Sequence, residues 1–291
     1  MPAPFAQITP HLWAAQSELY TTNTGVWASQ GEACLIDPGI FPREIRAIAE
    51  WLSAQHLVPR AIVLTHGHWD HIMGPEQFPG VPVIAQETYP RETTGQRGAY
   101  LQKQIDQWAS QYEIARPQPF VIPTADRTFG DTMRLSVGDL QIELIHAPGH
   151  AADELVIYDD LYKTLWAGDM LSDLEIPFVI HSLSAYEHTL AKLSDLDIRV
   201  LIPGHGHVTT AVPEIRTRIS QDIAYLAELR ARVEQALAAG RTVQETVTAC
   251  ADMSYRHPKD NARSHRLNVE SAYVELGGDA DPSQIGWGQF I

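Results

Sequence analysis

No apolar run in this chain approaches the roughly 18 to 20 residues that a membrane-spanning helix requires. The opening MPAPFAQITP also lacks the basic stretch and apolar core of an export signal. These absences predict a cytoplasmic protein with no membrane partner. Cysteine is scarce: Cys34 and Cys250 stand far apart in a chain of 291 residues, long enough to fold without staples, so both are expected as reduced thiols. Basic residues are in deficit, with 21 Lys and Arg against 36 Asp and Glu and a formal charge of -15. Binding to nucleic acid begins with neutralising phosphates, so a chain this acidic is not expected to have a nucleic-acid partner. A small-molecule substrate, even an anionic one, stays compatible if bound cations offset the charge locally. No internal repeat or low-complexity segment is visible.

Hydrophobic residues make up 44% of the chain and charged residues 20%, enough for a substantial core under a hydrated surface. The opening reads as short strands: ITPHLWAA, then Thr24 to Ala28, then Glu32 to Ile36, with Gly31 and Asp37-Pro38-Gly39 as turns. Residues Pro42 to Gln55 read as a helix, because Ile45, Ile48, Ala49 and Leu52 recur at helical spacing. The short apolar strand AIVL then runs directly into THGHWDH at 65–71. A further strand is expected over 80–86. From 88 to 112 the residues Tyr100, Leu101, Ile105, Trp108 and Tyr112 form an intermittent helical stripe, which either packs on the core or walls a site as a lid.

Beyond Pro123, strands recur around Thr128 to Leu135 and in LQIELIHAP, ELVIYDD, LYKTLWAGD and DIRVLIPGHGH, with a helix at Ser184 to Leu193. Helices follow at Glu214 to Ala239, from Thr242 with Glu245 as a helix cap, and at Ser264 to Leu276. Residues 1–210 therefore read as the main α/β domain and 211–291 as a C-terminal helical extension packed on it. Trp287 and Phe290 are expected to cover that domain or to join a homodimer interface.

The sharpest local signal is His66, His68, Asp70 and His71: four metal-ligand types in six residues. A regular strand or helix cannot aim all four at one ion, but a turn can send His66 and His68 to one metal while Asp70 and His71 face a second. His150, Asp169 and His205 each follow a predicted strand, where α/β scaffolds gather their chemistry. The resulting assignment places His66, His68 and His150 on a first divalent ion, Asp70, His71 and His205 on a second, and Asp169 between them. Imidazole and carboxylate suit Zn2+ best, with Fe or Mn as alternatives. His207 is a spare, read as exposed or supporting. Thr65, His146 and Asp37 are candidates to orient the imidazoles. Phe178 and His181 lead the candidate substrate-pocket residues, ahead of Tyr158, Tyr162 and Tyr186. Trp69 is expected to pack beneath the loop rather than to serve as a substrate platform. Asp70 is also the candidate catalytic group, as a proton shuttle to the leaving group.

Taken together, THGHWDH at 65–71, APGH at 147–150, AGD at 167–169 and PGHG at 203–206 resemble the metallo-β-lactamase fold superfamily, over residues 8 to 210. The resemblance implies a four-layer αββα sandwich with two metals at one edge, and supports the same ligand assignment. It does not select a reaction, since the family includes lactonases, thioester hydrolases such as glyoxalase II, β-lactamases, phosphodiesterases, sulfur dioxygenases and nucleases. No ligand motif contains a cysteine, unlike the β-lactamases with a zinc-binding Cys; His68 stands where flavodiiron proteins carry Glu; and the basic arm of the processing nucleases is missing. The expected function is hydrolysis by a hydroxide held between the metals, on a lactone or other carboxylic ester first and a thioester second. A phosphodiesterase, an iron-dependent sulfur dioxygenase and a catalytically silent metal-binding interaction protein are the remaining alternatives.

Overall fold

The computed structural model describes residues 5–116 and 118–281. Strands Ala6–Thr9 (β1) and Leu12–Gln16 (β2) form a hairpin, so the segment expected as one strand is two, divided by the turn at Pro10 and His11. Asn23–Ser29 (β3) and Glu32–Ile36 (β4) continue the antiparallel pairing. Helix Pro42–Ala54 (α1) then crosses over to Val58–Val63 (β5), which lies parallel to β4. Val83–Gln86 (β6) and Arg127–Phe129 (β7) complete a seven-stranded sheet in sequence order. The second sheet holds Thr132–Val137 (β8), Leu140–His146 (β9), Leu155–Asp159 (β10), Thr164–Trp166 (β11) and Val200–Ile202 (β12). Its order is β12-β11-β10-β9-β8, antiparallel except between β11 and β12.

The two sheets pack face to face. Trp27, Ile36 and Val63 of the first meet Leu144, Leu155, Ile157, Trp166 and Ile202 of the second. Alternation along β10 explains why its strand is apolar throughout: Leu155 and Ile157 point between the sheets, whereas Val156 and Tyr158 point to the helices outside. Gly25 is required here, because a Cβ at that position would lie 2.5 Å from the Trp166 ring.

Helices cover both outer faces. On the first sheet, Ile45, Ile48 and Leu52 of α1 pack with Leu101 and Ile105. The latter two belong to Gly95–Gln111 (α3), which follows the short helix Tyr89–Thr93 (α2). The single helix expected over 88–112 is therefore broken: Thr94 is extended, with φ -124° and ψ 174°, and Gly95 takes φ +61°. On the second sheet lie Leu183–Ser194 (α4), Val212–Ala238 (α5), Val243–Ala249 (α6) and Pro258–Glu275 (α7). Leu226 and Leu229 of α5 and Val269 and Tyr273 of α7 share one core with α4 and the outward residues of β10 to β12. The layers run α, β, β, α, as the family resemblance implies, with the C-terminal helices in the last layer.

Helix α6 carries the reciprocal cap between Thr242 and Glu245. Helix α7 starts six residues earlier than its apolar pattern suggests, because Pro258 occupies the first turn, where no amide donor is needed. No helix among the described residues is long and apolar enough to cross a membrane. Trp287 and Phe290 lie outside the described residues.

Candidate metal centre

The 65–71 loop leaves the end of β5 and is pinned at once. The backbone amide of Thr65 donates to Asp37 Oδ1 at 2.8 Å and its hydroxyl to Asp37 Oδ2 at 2.6 Å. Asp37 itself takes a positive φ of 43° in the turn after β4, so two adjacent parallel strands end on one buried carboxylate. Gly67 allows the loop to fold inward, since a Cβ there would lie 2.9 Å from Thr93 Cγ2 and 3.1 Å from Asp153 Oδ2.

The structure brings all seven expected ligand candidates together in two groups. His66, His68, His150 and Asp169 form one, and Asp70, His71 and His205 the other, with the ligand atoms in each within 4.8 Å of one another. His68 Nδ1 lies 2.9 Å from His66 Nε2 and 3.0 Å from His150 Nε2. His205 Nε2 lies 3.3 Å from Asp70 Oδ2 and 3.4 Å from His71 Nε2. Asp169 sits between the groups: its oxygens are 3.3 Å from His150 Nε2, 3.2 Å from His71 Nε2 and 3.3 Å from His205 Nε2.

Whether this set fits cations is decided by its outer hydrogen bonds. His71 Nδ1 faces Asp37 Oδ2 at 2.9 Å, His150 Nδ1 faces the Phe178 carbonyl at 2.9 Å, and His205 Nδ1 faces the Tyr20 carbonyl at 3.1 Å. Each partner accepts only, so each Nδ1 donates and each Nε2 turns inward with its lone pair. His66 follows the same rule through Thr65, whose hydroxyl proton is already given to Asp37 and whose oxygen lies 3.1 Å from His66 Nδ1. Asp169 Oδ1, fully buried, has no hydrogen-bond donor among the described residues. Converging lone pairs beside an orphaned carboxylate oxygen suit divalent cations.

Burial and neighbouring charge govern how the same groups hold protons. Burial lowers the pKa of His66 and His68, with His71 adding to the effect on His66 and His150 to that on His68. His66 falls well below the usual range and His68 to about 3. For His71 and His205 burial acts the same way but is outweighed by Asp169 and the other nearby carboxylates, which hold both well above the ordinary histidine value. Burial would raise Asp169, yet His205, His71 and His66 together hold it well below the carboxylate range. Such a centre exchanges bound protons for metal ions.

Above the two groups lies a cavity of about 840 Å3, with His68, Asp70, His150, Asp169 and His205 in its floor. One wall is α3, which presents Arg97, Tyr100, Leu101, Gln104 and Trp108 along one helical face. The facing wall is α7, through Arg263, Leu267, Glu270, Ser271 and Val274 among others. Phe178 and His181 line the cavity. Trp69 also does so, while stacking on Trp108 with centroids 4.8 Å apart.

Several sequence expectations need correcting. Tyr158 and Tyr186 face the helical core behind the second sheet, and Tyr162 lies against His11; none lines the cavity. His146 turns away from the centre, its Nε2 lying 2.9 Å from the Ala152 carbonyl oxygen. His207, by contrast, is exposed as expected, paired with Asp173 at 2.8 Å and outside both groups. Sequence reading also missed Glu154, which is fully buried and accepts the Asp169 amide at 2.7 Å. Asp153 and Glu175 in the cavity lining were missed too. Isolated acids such as these leave no periodic trace.

Loop 20–24 and loop 203–206 are sewn together at this edge. Thr22 and His205 form an isolated antiparallel bridge, and Asn23 donates its amide to Gly204 and its side chain to the Pro203 and Gly206 carbonyls.

The family model described as Metallo-beta-lactamase superfamily matches residues 18–205. The acyl-coenzyme A thioesterase MBLAC2 of Gallus gallus is 27% identical over 206 residues, 62% of this chain and 71% of that protein. The hydroxyacylglutathione hydrolase GloC of Haemophilus influenzae is 25% identical over 202 residues, 66% of this chain and 88% of that protein. Among solved structures, the metallo-beta-lactamase family protein TTHA1429 of Thermus thermophilus superposes with a TM-score of 0.65 at 21% identity. The match covers 93% of this chain and 94% of that one, so the shared fold includes the C-terminal helices.

Proposed function

Because this chain belongs to the metallo-beta-lactamase superfamily, we propose that it is a dinuclear hydrolase that cleaves an acyl thioester. The observation that carries the reading is the convergence of four inward imidazole lone pairs and the orphaned Asp169 oxygen at the floor of the cavity. The relatives MBLAC2 and GloC, named for thioester substrates, turn the choice from a lactone toward a thioester. Attack on either carbonyl would use the same floor.

In this reading His66, His68 and His150 hold one divalent ion, Asp70, His71 and His205 hold the second, and Asp169 serves both. When bound, such a pair supplies a nucleophilic water of lowered pKa and polarises the acyl carbonyl. The chain's own residues fix the geometry. Asp37, Phe178 and Tyr20 hold the imidazoles in one tautomer, and Glu154 holds the Asp169 backbone. The walls α3 and α7 exclude bulk water from the floor and give the substrate apolar surface to bury. A thiolate leaves without a strong acid, so Asp70 need only relay to it, after cleavage, the proton given up by the attacking water.

The test is a proton-release assay on the metal-reconstituted protein. It compares one acyl group as thioester, oxygen ester and lactone, with metal content measured in parallel and Asp169→Asn as control. We expect kcat/KM highest for the thioester and turnover lost in the variant. Full metal loading with turnover of the lactone alone would overturn the thioester assignment.

A further inference from the structure

We propose that Tyr225, His265 and Asn268, three buried residues of the C-terminal helices, are positioning residues for His150, joined to it by one hydrogen-bond path through the Phe178 peptide. The inference rests on the metal assignment proposed above and not on the thioester. The path starts at the end of α6, where the Cys250 carbonyl oxygen lies 2.9 Å from His265 Nε2. His265 Nδ1 lies 2.9 Å from the Tyr225 hydroxyl, whose oxygen accepts from Asn268 Nδ2 at 2.9 Å. Asn268 also donates to the Pro177 carbonyl at 2.6 Å and accepts the Val179 amide at 2.8 Å. The Val179 N–H and the Phe178 C=O belong to one peptide group, and that carbonyl lies 2.9 Å from His150 Nδ1.

Every proton on this path has a single place. The Cys250 carbonyl only accepts, so His265 Nε2 donates to it and His265 Nδ1 holds the lone pair. Burial lowers the pKa of His265, which keeps the ring neutral as this arrangement requires. Tyr225 therefore gives its one proton to His265 and offers its oxygen to Asn268. The Val179 amide only donates, which fixes the Asn268 oxygen toward it and commits the Asn268 NH2 group to Pro177 and Tyr225. One side-chain amide thus grips the peptide groups on both sides of the Phe178 α-carbon.

His150 needs this support more than His71 does. His71 leans on a carboxylate, Asp37, whereas His150 leans on a neutral carbonyl that also accepts the Ile180 amide at 3.1 Å. A neutral acceptor shared by two donors holds an imidazole less firmly than a charged one. Hydrogen bonds in series polarise one another, by about 10–30% per bond. The bond from Val179 to Asn268 therefore strengthens the Phe178 carbonyl as an acceptor, and the bonds from Asn268 to Tyr225 and Pro177 fix its direction. Helices α5 and α7 in this way act on the His66, His68 and His150 group through the backbone of residues 177–179.

The experiment titrates the full-length protein with cobalt against a competing chelator and records histidine-labelled NMR spectra of the zinc-loaded and metal-free forms. In Tyr225→Phe and in His265→Leu we expect one of the two cobalt-binding steps to weaken about three- to tenfold, less than the roughly 10- to 100-fold cost of removing a direct partner. The other step should stay unchanged, and the His150 Nδ1–H resonance should move upfield as its hydrogen bond weakens. His265→Gln, whose amide can still donate to Cys250 and accept from Tyr225, should keep both the affinity and the resonance of the parent. Tyr273→Phe is the matched control, since it removes a buried hydroxyl of α7 that donates to the Arg241 carbonyl at 2.9 Å, off the path. Parent-like affinity with an unmoved His150 proton in Tyr225→Phe and His265→Leu, or an equal loss in Tyr273→Phe, would overturn the proposal. A parent protein that takes up no cobalt would remove the metal assignment, and the metal-free spectra would then decide the path by the same shift.

Discussion

At the floor of the cavity the side chains follow the ends of strands, and three of the imidazoles are tied to a polar group behind them: His71 to Asp37, His150 to the Phe178 carbonyl, His205 to the Tyr20 carbonyl. At the walls the side chains come from the faces of α3 and α7, and what they share is a position on a helix rather than a network. The floor is buried and over-determined, whereas the walls combine buried Leu101 and Leu267 with exposed Arg97 and Arg263. The contrast separates two tasks. Chemistry depends on the floor, where small displacements are costly, while the choice of substrate depends on walls that can change one residue at a time.

The largest expected effect breaks the floor directly. Asp169→Asn and His68→Ala should each lose metal and lower turnover by at least about a hundredfold, beyond what loss of an orienting partner costs; metal analysis on purified protein checks this. Next, Asp37→Ala should leave the ligands in place but weaken metal affinity about 10- to 100-fold, read by competition with a chelating dye. If Asp37→Ala bound metal normally, the floor would not depend on its outer hydrogen bonds.

A third variant tests whether wall and floor are coupled. Asn268 of α7 donates to the Pro177 carbonyl at 2.6 Å and accepts the Val179 amide at 2.8 Å, flanking the residue whose carbonyl holds His150. Asn268→Ala should cost about 1 to 3 kcal/mol of stability by leaving these buried groups unpaired. It should also raise KM more than it lowers kcat, seen in denaturant titration and steady-state kinetics.

The smallest effect on turnover is expected at Asp153, whose signature is instead a pH dependence. Burial raises its pKa to about 7, and its Oδ2 has no partner among the described residues. The folded protein therefore keeps a proton that the unfolded chain releases near pH 4. The contribution of Asp153 to stability falls as pH rises from about 4 to about 7 and is level above that. Asp153→Asn should flatten this slope and be more stable than the parent at pH 8, by up to a few kcal/mol, in melts across the range.

Most of the floor is legible in the sequence because its ligands cluster locally: THGHWDH supplies four of them, and each of the other three ends a strand whose apolar run is visible. The four layers were implied by family resemblance and not by periodicity. The walls were only half legible. The stripe of α3 suggested either core packing or a lid, but a stripe does not say what lies opposite. That α7 faces the cavity follows from its tertiary packing. Tyr20 was hidden for another reason: a lone aromatic among TTNTG carries no pattern, and its importance rests on left-handed backbone and on His205, 185 residues away. His146 shows the converse error, a histidine beside a ligand motif that turns outward to a local carbonyl.

The stitch between Thr22 to Asn23 and Pro203 to Gly206 bears on how this molecule comes into being. His66, His68, Asp70 and His71 are delivered by the first sheet, whereas His150, Asp169 and His205 are delivered by the second, and neither group is complete in one sheet alone. The contacts that join them span about 180 residues, loops that are slow to close. A nascent chain therefore has no finished metal site until its two halves have docked. Small zinc modules use the ion as the seed of folding; here the ion would arrive as a seal on a fold already made.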